Sequence, residues 1–186
     1  MRTVTTVSRV NNRSIFAYEL VGMVFIIILG SALHFTFEWS GGNPVVGTFS
    51  AVNESVWEHL KLSYWPALIY AIIEYRYLKK ASGSFFLAKA VGIYLMPLVI
   101  VTSFYFYRTF TEENLLLDIL IFVVAVVIGQ LASYKLLIWK ETPKIYTKIS
   151  IIALILLAVL FVLFTFYPPQ LPIFQDPISG SYGITE

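Results

Sequence analysis

Two polar islands interrupt an otherwise greasy chain: His34-Phe35-Thr36-Phe37-Glu38-Trp39 and Asn53-Glu54-Ser55-Val56-Trp57-Glu58-His59-Leu60-Lys61. Both histidines of the sequence fall in them. Imidazole nitrogens and carboxylate oxygens are the ligands that zinc and similar divalent ions take from a cysteine-free chain. A site with three protein ligands leaves a position open for water. His34, Glu38 and His59 are the candidate ligands. A spare carboxylate, Glu58 or Glu54, would then act as general base on metal-bound water. Asn53, Trp57 and Lys61 are candidate binding groups, and Asp118 is a fourth that could orient a histidine from behind.

Spacing favours convergence. His34 and Glu38 are four residues apart and share a helix face; Ser55, His59 and Ser63 share another, with Glu54 and Glu58 on the neighbouring one. A plainer reading competes. Ser55-Val56-Trp57-Glu58 is a capping-box sequence, Glu54 at a helix start complements the helix dipole, and Glu58 with Lys61 can form an ion pair. The spacing does not match the His-Glu-x-x-His pattern of zinc proteases. Asn53-Glu54-Ser55 is also a glycosylation sequon.

The composition says what must hold these groups. Of 186 residues, 58% are hydrophobic and 13% charged, against about 45–50% and 25% in soluble domains. The mean hydropathy is +0.78. The apolar residues come in long blocks, which predicts an all-α integral membrane protein built on a bundle of five transmembrane helices in the lipid bilayer. The spans are expected at about 16–38, 55–77, 85–107, 114–139 and 147–167, each near the length that crosses ~30 Å of hydrocarbon. Residues 1–15 read as a basic cytoplasmic tail. The last segment, 168–186, is rich in proline and glycine and cannot be helical. Its Leu171, Ile173, Phe174, Ile178 and Tyr182 need burial, so it is expected to fold back over the helix ends. Gly41-Gly42-Asn43-Pro44 is turn chemistry.

The first span also has the outline of a cleavable signal peptide ending near Gly30-Ser31-Ala32. Its length, the interrupting Glu19 and the hydrophobicity beyond that point favour its retention. The absence of cysteine excludes thiolate catalysis and Cys-ligated metal.

Positive residues prefer cytoplasmic loops. With the N-terminus inside, the inner segments and helix ends collect eleven of the 13 Lys and Arg residues, and only Lys61 and Arg108 fall outside. This threading puts the C-terminus and both histidine segments at the outer face of a multi-pass plasma-membrane protein. An extracytoplasmic cap is expected there, from residues 39–53 and the tail. Nothing in the chain has the form of a phosphate loop, a Ser-His-Asp set or a nucleic-acid surface.

Phe37-Glu38-Trp39-Ser40-Gly41, Asn43-Pro44-Val45-Val46-Gly47 and the run Val52 to Lys61 resemble a family of small prokaryotic multi-pass membrane proteins known as a domain of unknown function. Gly180-Ser181-Tyr182-Gly183 after Asp176-Pro177 is similar too. This likeness covers most of the chain and implies no activity. Asn53 to Leu60 also resembles, more loosely, the Asn-x-Trp-x-His-Leu stretch of the progestin/adiponectin receptor and alkaline ceramidase superfamily. Those are seven-span proteins, some with zinc-dependent lipid-amide hydrolysis. Here five spans are expected, and no histidine follows His59.

The leading expectation is an enzyme or binding protein for a lipid or small amphiphile at the outer leaflet. A small transporter or channel component is the alternative, and a structural or partner-binding subunit the third. Transport needs a polar route across the whole membrane, and the inner halves offer Glu19, Glu74 and Gln130. Catalysis needs His34 and His59 to reach a shared point within about 5 Å.

Overall fold

The structure is a computed structural model and describes residues 11–79, 82–139 and 142–184. Arg2 and Arg9 of the expected basic tail, with Lys80 and Lys140, lie outside the described residues. Among the described residues the architecture is almost wholly helical: α1 (Asn12–Trp39), α2 (Pro44–Gly47), α3 (Val56–Leu78), α4 (Phe85–Arg108), α5 (Leu115–Leu137) and α6 (Lys144–Phe166), followed by a 3-10 turn at Pro172–Phe174. Polar side chains start these helices by accepting backbone N–H bonds. Asn11 caps α1, Ser55 caps α3 and Asn114 caps α5, as oxygen-bearing residues do at an N-terminus.

Four helices, α1, α4, α5 and α6, are long and apolar enough to cross a membrane. The fifth long helix, α3, spans about 34 Å at 1.5 Å per residue but carries Glu58, His59, Lys61, Glu74 and Arg76. It tolerates these charges because it sits centrally, packed on α1, α4 and α6. Twelve of its 23 residues are buried. The outward faces of the others are bare hydrocarbon: Leu116, Phe106, Ile152 and Ile28 are each more than 60% exposed. Such a surface belongs against lipid, so the protein is a helical membrane protein.

α1, α3, α4 and α5 pack in a closed ring, with α6 laid against α4 and α3. The core runs through Ile26, Tyr64, Ile93, Met96, Val126 and Phe161. Lipid tails are as apolar as leucine, so helices in a membrane associate through close packing and interhelical hydrogen bonds. Both are present. α4 and α5 touch at Gly92 and Gly129, where a Cβ on either residue would stand 2.7 Å from the other's carbonyl oxygen. Tyr64 on α3 donates to Leu154 O and Tyr94 on α4 to Ala153 O, both at 2.6 Å, and these bonds pin α6.

The loop between α1 and α3 is more ordered than its turn chemistry alone implies. Gly41 and Gly42 take positive φ, as the turn requires. Pro44 then opens α2, with Asn43 as its cap. The tail folds back onto this end. Phe174 is buried against Trp57 and Phe164, with ring centroids 4.8 and 5.3 Å away. Asn53 Nδ2 donates to Gly183 O at 3.0 Å.

Candidate metal centre at the α1–α3 mouth

α1 and α3 run antiparallel and in contact, which brings the end of one beside the start of the other. His34 and His59 meet there, Nε2 to Nε2 at 3.1 Å. Glu54, from the loop just ahead of α3, completes the group. Its Oε2 lies 3.7 Å from His34 Nε2 and 3.4 Å from His59 Nε2. The histidine side chains are 30% exposed and that of Glu54 43%, so the cluster is half sunk and reachable from outside.

Hydrogen bonding assigns a tautomer to one ring. His59 Nδ1 lies 2.9 Å from Ser55 O, and a carbonyl can only accept. Nδ1 therefore carries a proton; the neutral ring presents its Nε2 lone pair to His34 or to an ion, and the protonated ring donates from Nε2 to Glu54. A backbone carbonyl behind a histidine is the usual support for a metal ligand. The imidazole of His59 also holds the Glu54 carboxyl below its ordinary value of 4.5, more than burial raises it.

Three electron-rich atoms this close need a proton or a metal ion between them. The triangle with sides 3.1, 3.4 and 3.7 Å has a centre about 2.0 Å from each corner, which is the bond length of zinc to histidine and carboxylate, about 2.0–2.2 Å. His34, Glu54 and His59 could thus supply three ligands to one divalent ion, with a fourth position left for water.

The other expected site residues are placed differently. Glu38 is exposed and stands four residues, about 6 Å, beyond His34 on α1. Among the described residues it is not part of the convergent group; the loop carries Glu54 to that point instead. Glu58 is buried and turned away. It pairs with Lys61 at 2.5 Å, accepts Val52 N–H at 3.1 Å and faces Thr165 of α6. Ser55 does cap the Glu58 N–H, but the return bond of a capping box is missing, because Ser55 N–H donates to Asn53 Oδ1. Lys61 is fully buried. It donates to Gly47 O at 2.7 Å and Thr165 Oγ1 at 2.9 Å, which ties α2 and α6 to α3. Trp57 packs among Phe161, Phe164 and Phe174. Asp118 accepts from Tyr107 at 2.7 Å and joins α4 to α5, apart from the histidines.

An open groove of about 520 Å³ lies at the same end of the bundle, lined by Leu33, Thr36, Trp39, Val45, Val46 and Phe49 among others. It is almost wholly apolar in its side chains.

Near the opposite end lies a second polar cluster, whose members the sequence shows only singly. Glu19 of α1, Glu74 of α3, Lys89 of α4 and Gln130 and Ser133 of α5 come together, all nearly inaccessible. Lys89 reads in sequence as a cation at the inner start of a span. The signal that would have found the cluster is depth, since each residue lies four to seven positions inside its helix from the same end of the bundle.

The chain belongs to the family of unknown function DUF6512, whose model matches residues 7–184. No curated protein and no solved structure matches it.

Proposed function

We propose that this is a plasma-membrane protein that binds a divalent ion of the zinc class through His34, Glu54 and His59 at its extracytoplasmic mouth, and uses it on a lipid or small amphiphile. The observation that carries this reading is the triangle of ligand atoms, whose centre is one bond length from each of them. The carbonyl behind His59 supports it. The apolar groove at the same end would take an acyl chain while the ion takes a polar headgroup. The excess of Lys and Arg at the other end supports the assignment of this mouth to the outer side.

Binding is the minimum activity, and hydrolysis is the fuller one. Glu54 is then a ligand, and Glu58 is occupied by Lys61, so neither is free as a general base. A bound ion of this class would lower the pKa of its own water to about 7 and supply the nucleophile. The chain's own residues hold the ion, orient His59 through Ser55 O and seat the apolar part of the substrate.

The test is elemental mass spectrometry of the protein purified in detergent. About one zinc, iron or manganese per chain is expected, and its loss from a folded His34→Ala/His59→Ala variant. Equal metal content in the two proteins would sink the reading.

A further inference from the structure

The buried cluster near the other end of the bundle has a charge that does not balance. Glu19 is 0%, Glu74 1% and Lys89 3% exposed. Lys89 Nζ lies 2.6 Å from Glu19 Oε1 and also pairs with Glu74 Oε2. It is the one cation in ion-pair range of either carboxylate among the described residues. Two carboxylates against one ammonium leave a surplus negative charge inside the bundle.

The neighbours do not cancel it. From α5, Ser133 Oγ donates to Glu19 Oε1 at 3.0 Å, and Gln130 Nε2 donates to the backbone carbonyl of Glu19, not to its side chain. From α3, the Tyr70 hydroxyl is committed to Tyr18 O. From α4, the Phe85 ring lies 5.7 Å from Lys89 Nζ and bears no charge. Glu19 Oε2 and Glu74 Oε1 have no hydrogen-bond partner among the described residues. A buried ion pair holds only where its remaining lone pairs are satisfied, and a buried unpaired charge is more costly still. Ionisable groups buried among transmembrane helices are more often functional than incidental.

We propose that Glu19, Glu74 and Lys89 form a binding site for one small monovalent cation, a proton or an alkali ion, which neutralises the second carboxylate. The shared chemistry is a single positive charge received by Glu19 Oε2 and Glu74 Oε1. The site stands about 22 Å along α1 from His34, fifteen residues at 1.5 Å each, and does not depend on the metal reading of the mouth. Its three groups come from α1, α3 and α4, and Ser133 of α5 bonds Glu19, so loading it ties these four helices together near this end.

The experiment is infrared spectroscopy of the full-length protein in detergent at neutral pH, with thermal unfolding in sodium chloride against choline chloride. A resident proton gives the wild type the C=O stretch of a protonated carboxylic acid, and Glu74→Gln or Glu19→Gln abolishes it. A resident alkali ion gives instead an unfolding midpoint that rises in sodium over choline, and the same substitutions abolish the rise. A wild type with neither signal overturns the proposal, as does a signal that persists in both variants. Each amide reproduces the neutral charge of the loaded site, so both variants are expected to fold. If neither does, the proposal also fails.

Discussion

His34 and His59, twenty-five residues apart, face each other Nε2 to Nε2 at 3.1 Å across the α1–α3 contact. Two neutral imidazoles approach that closely only with a proton or a metal between them. Since His59 Nδ1 donates to Ser55 O, Nε2 of the neutral ring accepts from His34 or ligates an ion, and Nε2 of the metal-free, protonated ring donates to Glu54. The arrangement ties a helix-end hydrogen bond to the state of the site, and Glu54 closes it from the loop.

Acid should loosen this mouth in chelator-treated protein. The carboxyl of Glu54 sits below its ordinary 4.5 because His59 bonds it. A depressed folded value means that Glu54 stabilises the fold above about pH 4.5, and that this contribution fades as pH falls through the lower folded value. The unfolding midpoint of the wild type should therefore drop below pH 4.5 more steeply than that of Glu54→Gln. Parallel curves would show that the contact contributes nothing.

Removing the cation beneath the cap should be severe. Lys61→Met leaves Glu58 buried without its partner, an error of about 3–5 kcal/mol, and also frees Gly47 O and Thr165. Glu58→Gln/Lys61→Met should recover much of the loss, because the surplus charge is gone. Unfolding free energies in mixed micelles measure both, and a double variant no better than Lys61→Met contradicts the charge argument.

The α4–α5 contact should not accept a methyl group. In Gly129→Ala the new Cβ would stand 2.7 Å from Gly92 O and closer still to Met96. Backbone cannot yield as a flexible side chain can, so the helices must part. The expected loss is about 1–3 kcal/mol, as for overpacked cores, with Gly129→Val worse. Wild-type stability in Gly129→Ala would mean that the two helices do not cross there.

The helical bundle was legible because long apolar runs have few alternatives in a membrane. The meeting of His34 with His59 was legible too, since consecutive antiparallel spans match one helix's end with the next one's start. Side-chain choice was less so. Glu38 has the right helical spacing to His34, but it is exposed four residues further along α1 and does not join the group. Glu54 reaches the histidines by the path of a loop, which no periodicity encodes. Glu58 looks like a cap in sequence, and only packing reveals that Lys61 and Val52 claim it. Lys89 counts in sequence only as a positive residue at an inner helix end, because its acidic partners lie 70 and 15 residues away in the chain and only the fold brings them together.

The most direct test of the metal centre is X-ray absorption spectroscopy of the zinc-loaded, full-length protein. The account predicts a shell of nitrogen and oxygen at about 2.0–2.1 Å with the scattering pattern of two imidazoles, falling to one imidazole in His59→Ala. A zinc shell without imidazole scattering, or one unchanged in His59→Ala, would contradict it.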